Sequence, residues 1–153
     1  MTPRLEVRLT LQQKKIRIMA KMKHFTLEEL TKSQVAARLK IDNTPPEEAR
    51  KQLVALVTAV LDPLREAWGG PVTVTSGYRC KALNAAVGGV ANSQHMLGQA
   101  ADITVGSQAD NERLMAVLKR LDLPVDQVIG EHGFRWIHVS HGPRNRKQYL
   151  TIC

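Results

Sequence analysis

The segment from residue 47 to residue 68 constrains the fold of this chain more than any other feature. Its apolar residues recur at intervals of three and four positions: Leu53, Val54, Val57, Val60, Leu61 and Leu64. This spacing predicts one long amphipathic α-helix, which Gly69-Gly70-Pro71 ends. Such a helix has to bury its apolar stripe, so the rest of the chain must supply elements that pack against it.

Shorter patterns on both sides of that helix indicate an α+β fold. Thr26-Leu27-Glu28-Glu29 has the spacing of a capping box, which predicts a helix from there to about Leu39. Further helices are predicted at 81–87 and 111–121, and strands at 72–75, 100–105, 125–130, 134–140 and, as an edge strand, 149–152. Because helices come first and most strands follow, we expect a single α+β domain with N-terminal helices packed on a small antiparallel sheet.

The net charge of +8 is concentrated at the N-terminus, where residues 1–24 carry seven lysines and arginines against Glu6 alone. We therefore predict a basic N-terminal arm over residues 1–24, either disordered or an extension, and a folded domain over residues 25–153. The arm holds +6 of the charge, which leaves the domain only +2. With aromatic residues at 4% as well, the domain does not fit a nucleic-acid-binding face.

Three further patterns narrow the class of protein. No stretch approaches the roughly 20 apolar residues of a membrane span. The basic N-terminus lacks the apolar core of a signal peptide, so we expect a protein that is cytoplasmic as synthesised. Cys80 and Cys153 have no CxxC spacing, which favours two reduced thiols and argues against a zinc site built from cysteines. We also expect a monomer.

Three residues could together hold a metal ion. His95 lies at the end of a predicted loop and Asp102 lies seven residues later in a predicted strand, with several small residues between them. His138 lies in another predicted strand, in Trp136-Ile137-His138-Val139-Ser140. Two neutral imidazoles and one carboxylate are a three-ligand set typical of catalytic zinc, with a fourth position left for water.

The residues around this set resemble the zinc D-Ala-D-Ala carboxypeptidase family. The pattern Ser-x-His-x-x-Gly-x-Ala-x-Asp is met by Ser93, His95, Gly98, Ala100 and Asp102. The family's other two motifs are matched, in the same order, by Ser76-Gly77-Tyr78-Arg79 with Asn84 and by Trp136-x-His138. The resemblance covers residues 25–153 and is greatest to the short, single-domain branch found in phages and prophages, which includes endolysins that cut the peptide stems of peptidoglycan.

The resemblance implies a fold, a cofactor and a set of roles. The fold would be that of the hedgehog and D-Ala-D-Ala peptidase group, and His95, Asp102 and His138 would bind one Zn²⁺. Arg79 would bind a carboxylate or carbonyl of the substrate, the alternative being a structural ion pair. Ser93 would hydrogen-bond the substrate backbone, the alternative being a local bond within its own loop.

The general base is the point where the sequence departs from the family pattern. Many members have an acidic residue three positions before the third ligand, where this chain has Arg135, which cannot accept a proton. Glu131 is the nearest acid upstream and is our predicted base. A two-residue turn at His132-Gly133 would place it on the face of His138 but about 13 Å away, whereas a longer turn through Phe134 would bring it closer. His141 is an alternative proton donor or oxyanion stabiliser.

The function predicted from these residues is that of a zinc metallopeptidase. It would hydrolyse amide bonds in peptidoglycan stem peptides, as a D,D-carboxypeptidase or as an endopeptidase of the endolysin type. Its partner would be the peptidoglycan peptide, without nucleic acid and without a membrane span. Because the usual acid is missing, the alternative is an inactive zinc-binding module of the same fold that recognises cell-wall peptides.

Overall fold

The computed structural model of the chain describes residues 10–13 and 22–153, so most of the predicted basic arm lies outside the described residues. The helices in residues 22–153 are α1 (Leu27–Thr31), α2 (Gln34–Leu39), α3 (Glu47–Leu56), a π-helical turn (Val57–Leu61), α4 (Asp62–Trp68), α5 (Lys81–Ala86), a 3-10 helix (Gln94–Leu97) and α6 (Gln108–Leu121). The strands are β1 (Thr73–Ser76), β2 (Ala100–Thr104), β3 (Gln127–Glu131), β4 (Trp136–Ser140) and β5 (Gln148–Thr151). The predicted α+β domain is confirmed.

The first helical segment begins where the capping box predicts, but it is two helices. The Thr26 hydroxyl accepts a hydrogen bond from the Glu29 N–H, which caps α1. The chain then becomes extended at Lys32, and the Ser33 hydroxyl caps α2 by accepting the Ala36 N–H. The prediction of one helix to Leu39 is wrong because Ser33 supplies a second helix start inside it.

The long helical segment is confirmed, with a π-helical turn in its middle. That turn comes directly before Pro63 in the first turn of α4. Proline has no N–H to donate and its ring crowds the preceding turn, so a widened turn accommodates it where a regular α-helix would not. The Asp62 carboxylate beside it accepts the N–H groups of Lys23 and His24, which ties the start of the described domain to this helix.

The five strands form one sheet in the order β1-β2-β4-β3-β5. Neighbouring strands are antiparallel except for β3 and β5, which are parallel. The predicted edge strand is present, and its direction follows from the connection: the loop after β4 reverses the chain, and β3 already runs opposite to β4. One sheet face, with Ala101, Ile103, Ile137 and Val139, is buried in the core. Asp102 and His138 alternate with these residues and lie on the other face.

The turn between β3 and β4 is longer than the two residues predicted. Glu131 pairs with Trp136 and Ile129 with His138, so residues 132–135 form the turn. His132, Gly133 and Phe134 all have positive φ, and the Phe134 ring lies against Gly130 on the core face of the sheet. A two-residue turn would pair Glu131 with Phe134 and is wrong; the longer turn through Phe134, which the sequence left open, is the one formed, because Phe134 turns back to cover Gly130.

Among the residues that the structure describes, no helix is both long enough and apolar enough to cross a membrane.

Candidate metal centre

The three predicted ligands lie together on the sheet face opposite the core. Asp102 in β2 and His138 in β4 are direct cross-strand partners, which places their side chains side by side. His95 reaches them from the 3-10 helix that leads into β2, and its side chain is buried. The loop that carries His95 and the strand that carries Asp102 therefore bring these two side chains together, and His138 joins them from the neighbouring strand.

The atoms that could bind a metal are close to one another. Asp102 Oδ1 lies 3.3 Å from His95 Nε2 and 3.2 Å from His138 Nδ1. All three atoms lie within 4.8 Å of one another, and the two imidazole rings meet edge to face with centroids 5.1 Å apart. Tetrahedral zinc with bonds of about 2.0–2.1 Å separates its ligand atoms by about 3.3 Å, so the two short distances fit zinc.

The hydrogen bond of His95 fixes which of its ring nitrogens faces Asp102. His95 Nδ1 lies 2.7 Å from the Gly77 carbonyl oxygen, which can only accept, so Nδ1 carries the proton. In the neutral ring Nε2 then carries a lone pair and no proton, and it lies 3.3 Å from the Asp102 carboxylate oxygen Oδ1. Two acceptors at this distance require either an added proton or a metal ion. Fixing the ring by its other nitrogen is the usual arrangement of a zinc-binding histidine.

Arg79 holds the second oxygen of Asp102. Its Nη2 lies 3.3 Å from Asp102 Oδ2, while Nε donates to Ser76 Oγ and Nη1 to Asn84 Oδ1. The guanidinium therefore orients the carboxylate so that Oδ1 faces the two imidazoles. The structure contains the ion pair that the sequence left as the alternative for Arg79, and a contact with substrate stays a prediction.

The carboxyl group of Asp102 is ionised although it is buried. Burial raises its pKa, but hydrogen bonds and positive charge from His138 and His95 outweigh that effect, so the pKa lies well below its usual range. A carboxylate must be deprotonated to bind a metal. Asp102 therefore needs no change of protonation at neutral pH to act as a ligand.

Ser93 has a local role in the structure. Its hydroxyl oxygen accepts the His95 N–H at 3.2 Å and caps the 3-10 helix. This is the bond within the loop that the sequence left open as the alternative. Within the described residues the hydroxyl proton has no hydrogen-bond acceptor, and a bond from it to substrate stays a prediction.

Gly98 explains the spacing of the His-x-x-Gly pattern. It ends the 3-10 helix with φ +73°, and a Cβ added there would lie 2.3 Å from the Ala49 carbonyl oxygen in α3. Both the left-handed backbone and the close approach to α3 require glycine. The residue thus fixes the segment that carries His95 against the long helix.

Replacing Gly98 by alanine should destabilise the protein by more than about 2 kcal/mol, because a contact of this kind cannot relax without moving backbone. Gly88 is the matched control, since it has the same φ of +73° but nothing within 4 Å of an added Cβ. Gly88→Ala should cost only the backbone strain of about 1–2 kcal/mol. Urea unfolding would measure both, and equal losses would contradict the packing role of Gly98.

Asp126 is a buried residue of this region that the sequence did not reveal. Its carboxylate accepts from Gln94 Nε2 at 3.0 Å and from Arg146 Nε at 2.7 Å, and the hydrogen bond from Arg146 lowers its pKa to about 2. Asp126 therefore links the 3-10 helix of His95 to the loop between β4 and β5. The partners are 32 and 20 residues away along the chain, and no local pattern signals such contacts.

Glu131 lies closer to His138 than a two-residue turn would allow. Since Ile129 is the partner of His138, Glu131 is the diagonal neighbour of His138 on the same sheet face, with an expected Cβ separation of about 7–8 Å. Its side chain is half-buried and makes no hydrogen bond or ion pair within the described residues. The buried Asn111 side chain donates to the Phe134 and Arg135 carbonyls and so fixes the turn that places Glu131.

Two further residues, His141 and Gln127, have structural contacts. His141 Nδ1 donates to the Pro124 carbonyl at 2.6 Å, which orients this ring toward the start of β3. Gln127 donates to the Gln148 side chain on β5. The site therefore brings together His95, Asp102, His138 and Arg79, with Glu131 diagonal to His138.

The chain is similar to known proteins. A family model described as Peptidase M15 matches residues 23–140. A segment of 56 residues is 50% identical to the "Zinc D-Ala-D-Ala carboxypeptidase" of Streptomyces albus G. The aligned segment covers 35% of this chain and 22% of that curated protein, so the chain matches only a small part of that relative's length.

Proposed function

This chain belongs to the Peptidase M15 family, and on that premise we propose that it is a zinc-dependent peptidase that hydrolyses amide bonds in peptidoglycan stem peptides. The observation that carries the proposal is the convergence of His95 Nε2 and His138 Nδ1 on Asp102 Oδ1, at 3.3 and 3.2 Å. His95, Asp102 and His138 would hold one Zn²⁺, which when bound polarises an amide carbonyl and lowers the pKa of water to near neutrality.

The remaining chemistry falls to residues around the three ligands. Glu131 accepts a proton from the attacking water and returns it to the leaving amine, which is general acid–base catalysis by one carboxylate. Arg79 has five N–H donors, of which three are used by Ser76, Asn84 and Asp102. The others are available to a carbonyl or carboxylate of the substrate, where they stabilise developing negative charge.

The substrate class is supported by the relative named as a zinc D-Ala-D-Ala carboxypeptidase. The ligand set serves cleavage at the end of a stem peptide, as in a D,D-carboxypeptidase, as well as cleavage within it, as in an endopeptidase of the endolysin type. Ser93 is placed beside His95, where its hydroxyl would donate to the substrate backbone.

The test is mass spectrometry of muropeptides after digestion of purified peptidoglycan with the zinc-loaded protein. We expect shortened or separated stem peptides with the zinc-loaded protein. The muropeptides should stay intact when a chelator has removed the zinc, and cleavage should recover when Zn²⁺ is added back. Unchanged muropeptides with fully loaded protein would contradict the proposal.

The second candidate is a zinc-binding module that does not turn over its ligand. It is favoured by Arg135, which stands where the family pattern has an acidic residue. Such a module would bind cell-wall peptides and leave them intact. Retention of stem peptides on the immobilised zinc-loaded protein, with no cleavage product, would identify it.

A further inference from the structure

A groove follows the free edge of the sheet beside the metal centre. β1 is an edge strand that pairs with β2 alone, so one row of its backbone N–H and C=O groups is not used by the sheet. The groove along it has a volume of about 790 Å³, within the range of peptide and ligand sites. The α1–α2 junction forms one wall and α5 with Val87 the other.

Arg79 connects the groove with the metal centre. Ser76 at the end of β1 is the cross-strand partner of Asp102. Arg79 lines the groove and also contacts Asp102 Oδ2. The four residues of β1 span about 13 Å at roughly 3.3 Å per residue. A chain of about four residues laid along β1 therefore ends beside Ser76 and Arg79, with β1 between it and the strand of Asp102.

The walls of the groove suit an extended peptide with small side chains. Thr73 and Thr75 are exposed on the strand, and Val35 and Val87 are apolar residues on the two walls. The charged residues that line it are one acid, Glu29, and two cations, Lys32 and Arg79. This mixture lacks the dense positive charge that a polyanion requires, and main-chain pairing at a sheet edge supplies affinity with little dependence on side chains.

We propose that the free edge of β1 binds the part of the substrate peptide that is not released, as a sixth strand of the sheet, and so delivers the scissile bond to the metal centre. This inference rests on the proposed function, whose substrate is a peptide. It implies that substrates of four or more residues are strongly preferred over a dipeptide, since a dipeptide leaves most of the β1 edge unpaired.

The first test uses synthetic pentapeptides ending in D-Ala-D-Ala, each with one N-methyl group at a different position, and the zinc-loaded protein. Because alternate N–H groups of an added strand point toward its neighbour, we expect the loss in kcat/KM to alternate with a period of two, about tenfold or more at the positions facing β1. A flat profile in a protein that cleaves the peptides would overturn the added strand and leave the peptidase intact.

A second measurement does not depend on turnover. Saturating peptide should slow amide hydrogen exchange at residues 73–76 of the zinc-loaded protein, and the exchange of β5 at the opposite edge should stay the same. Protection of β1 without cleavage would support the groove and contradict the proposed function. Binding without protection of β1 would overturn the groove.

A pair of variants tests the wall. Val87 and Leu150 are both 43% exposed, but Val87 lines the groove and Leu150 lies on β5. Val87→Asp should raise KM about tenfold with kcat and zinc content unchanged, whereas Leu150→Asp should change none of the three. Equal KM values for the two variants, both shown to be folded by circular dichroism, would contradict the proposal.

Discussion

Replacing His138 by alanine should lower the affinity for zinc by more than about 100-fold, because loss of even an outer hydrogen-bond partner of a ligand typically costs 10–100-fold. With only three protein ligands in the cluster, no further one can replace the lost imidazole. His138 is the most exposed of the three, with 15% of its side chain accessible against 11% for Asp102 and 4% for His95. Its truncation therefore disturbs packing least, and the loss of metal can be separated from loss of fold.

The measurement is metal analysis after dialysis, with competition against a chromophoric chelator for the affinity. His95→Ala and Asp102→Ala should lose zinc too, but each breaks a further contact: the bond of His95 to the Gly77 carbonyl and the ion pair of Asp102 with Arg79. His141→Ala is the matched control, since its ring bonds to the Pro124 carbonyl and lies outside the three-residue cluster. Stoichiometric zinc in all three ligand variants would show that the site is wrongly assigned.

The parts of this molecule that the sequence predicts are those encoded by local spacing. The long helix follows from apolar residues at intervals of three and four. The separation of His95 and Asp102, with a loop that feeds a strand, predicts their convergence. Because side chains alternate along β4, the sequence predicts that His138 lies on the sheet face opposite that of Ile137 and Val139.

The parts that the sequence does not predict depend on contacts between distant residues. The length of the β3–β4 turn is set by Phe134 packing on Gly130 and by Asn111 bonding the turn carbonyls from α6. The parallel β5 depends on the route of the loop after β4, where Arg146 bonds Asp126. A pattern of hydrophobicity along the chain carries no information on these contacts, and a change in turn length moves every pairing of the hairpin.

The corrected hairpin strengthens one assignment in particular. With Glu131 opposite Trp136 and Ile129 opposite His138, Glu131 lies two residues along the strand from the partner of His138, about half the separation that the two-residue turn required. Arg135 lies in the turn, outside the strand, and its N–H bonds the Glu131 carbonyl. Arg135 is thus a turn residue, whereas Glu131 is a half-buried carboxylate on the sheet face of Asp102 and His138.

Glu131→Gln should therefore keep its zinc and lose turnover of stem peptides by about 10²–10⁴-fold, the usual contribution of a general base. Glutamine has the same shape, so the turn and the sheet are preserved, but its amide cannot accept a proton at neutral pH. Glu112→Gln removes an exposed carboxylate from α6 and is the matched control, with activity and zinc unchanged. Single-turnover rates and metal content measured on the same samples would separate chemistry from metal loss. Turnover by zinc-loaded Glu131→Gln within a few-fold of the unmodified protein would mean that another group, His141 first among them, moves the proton.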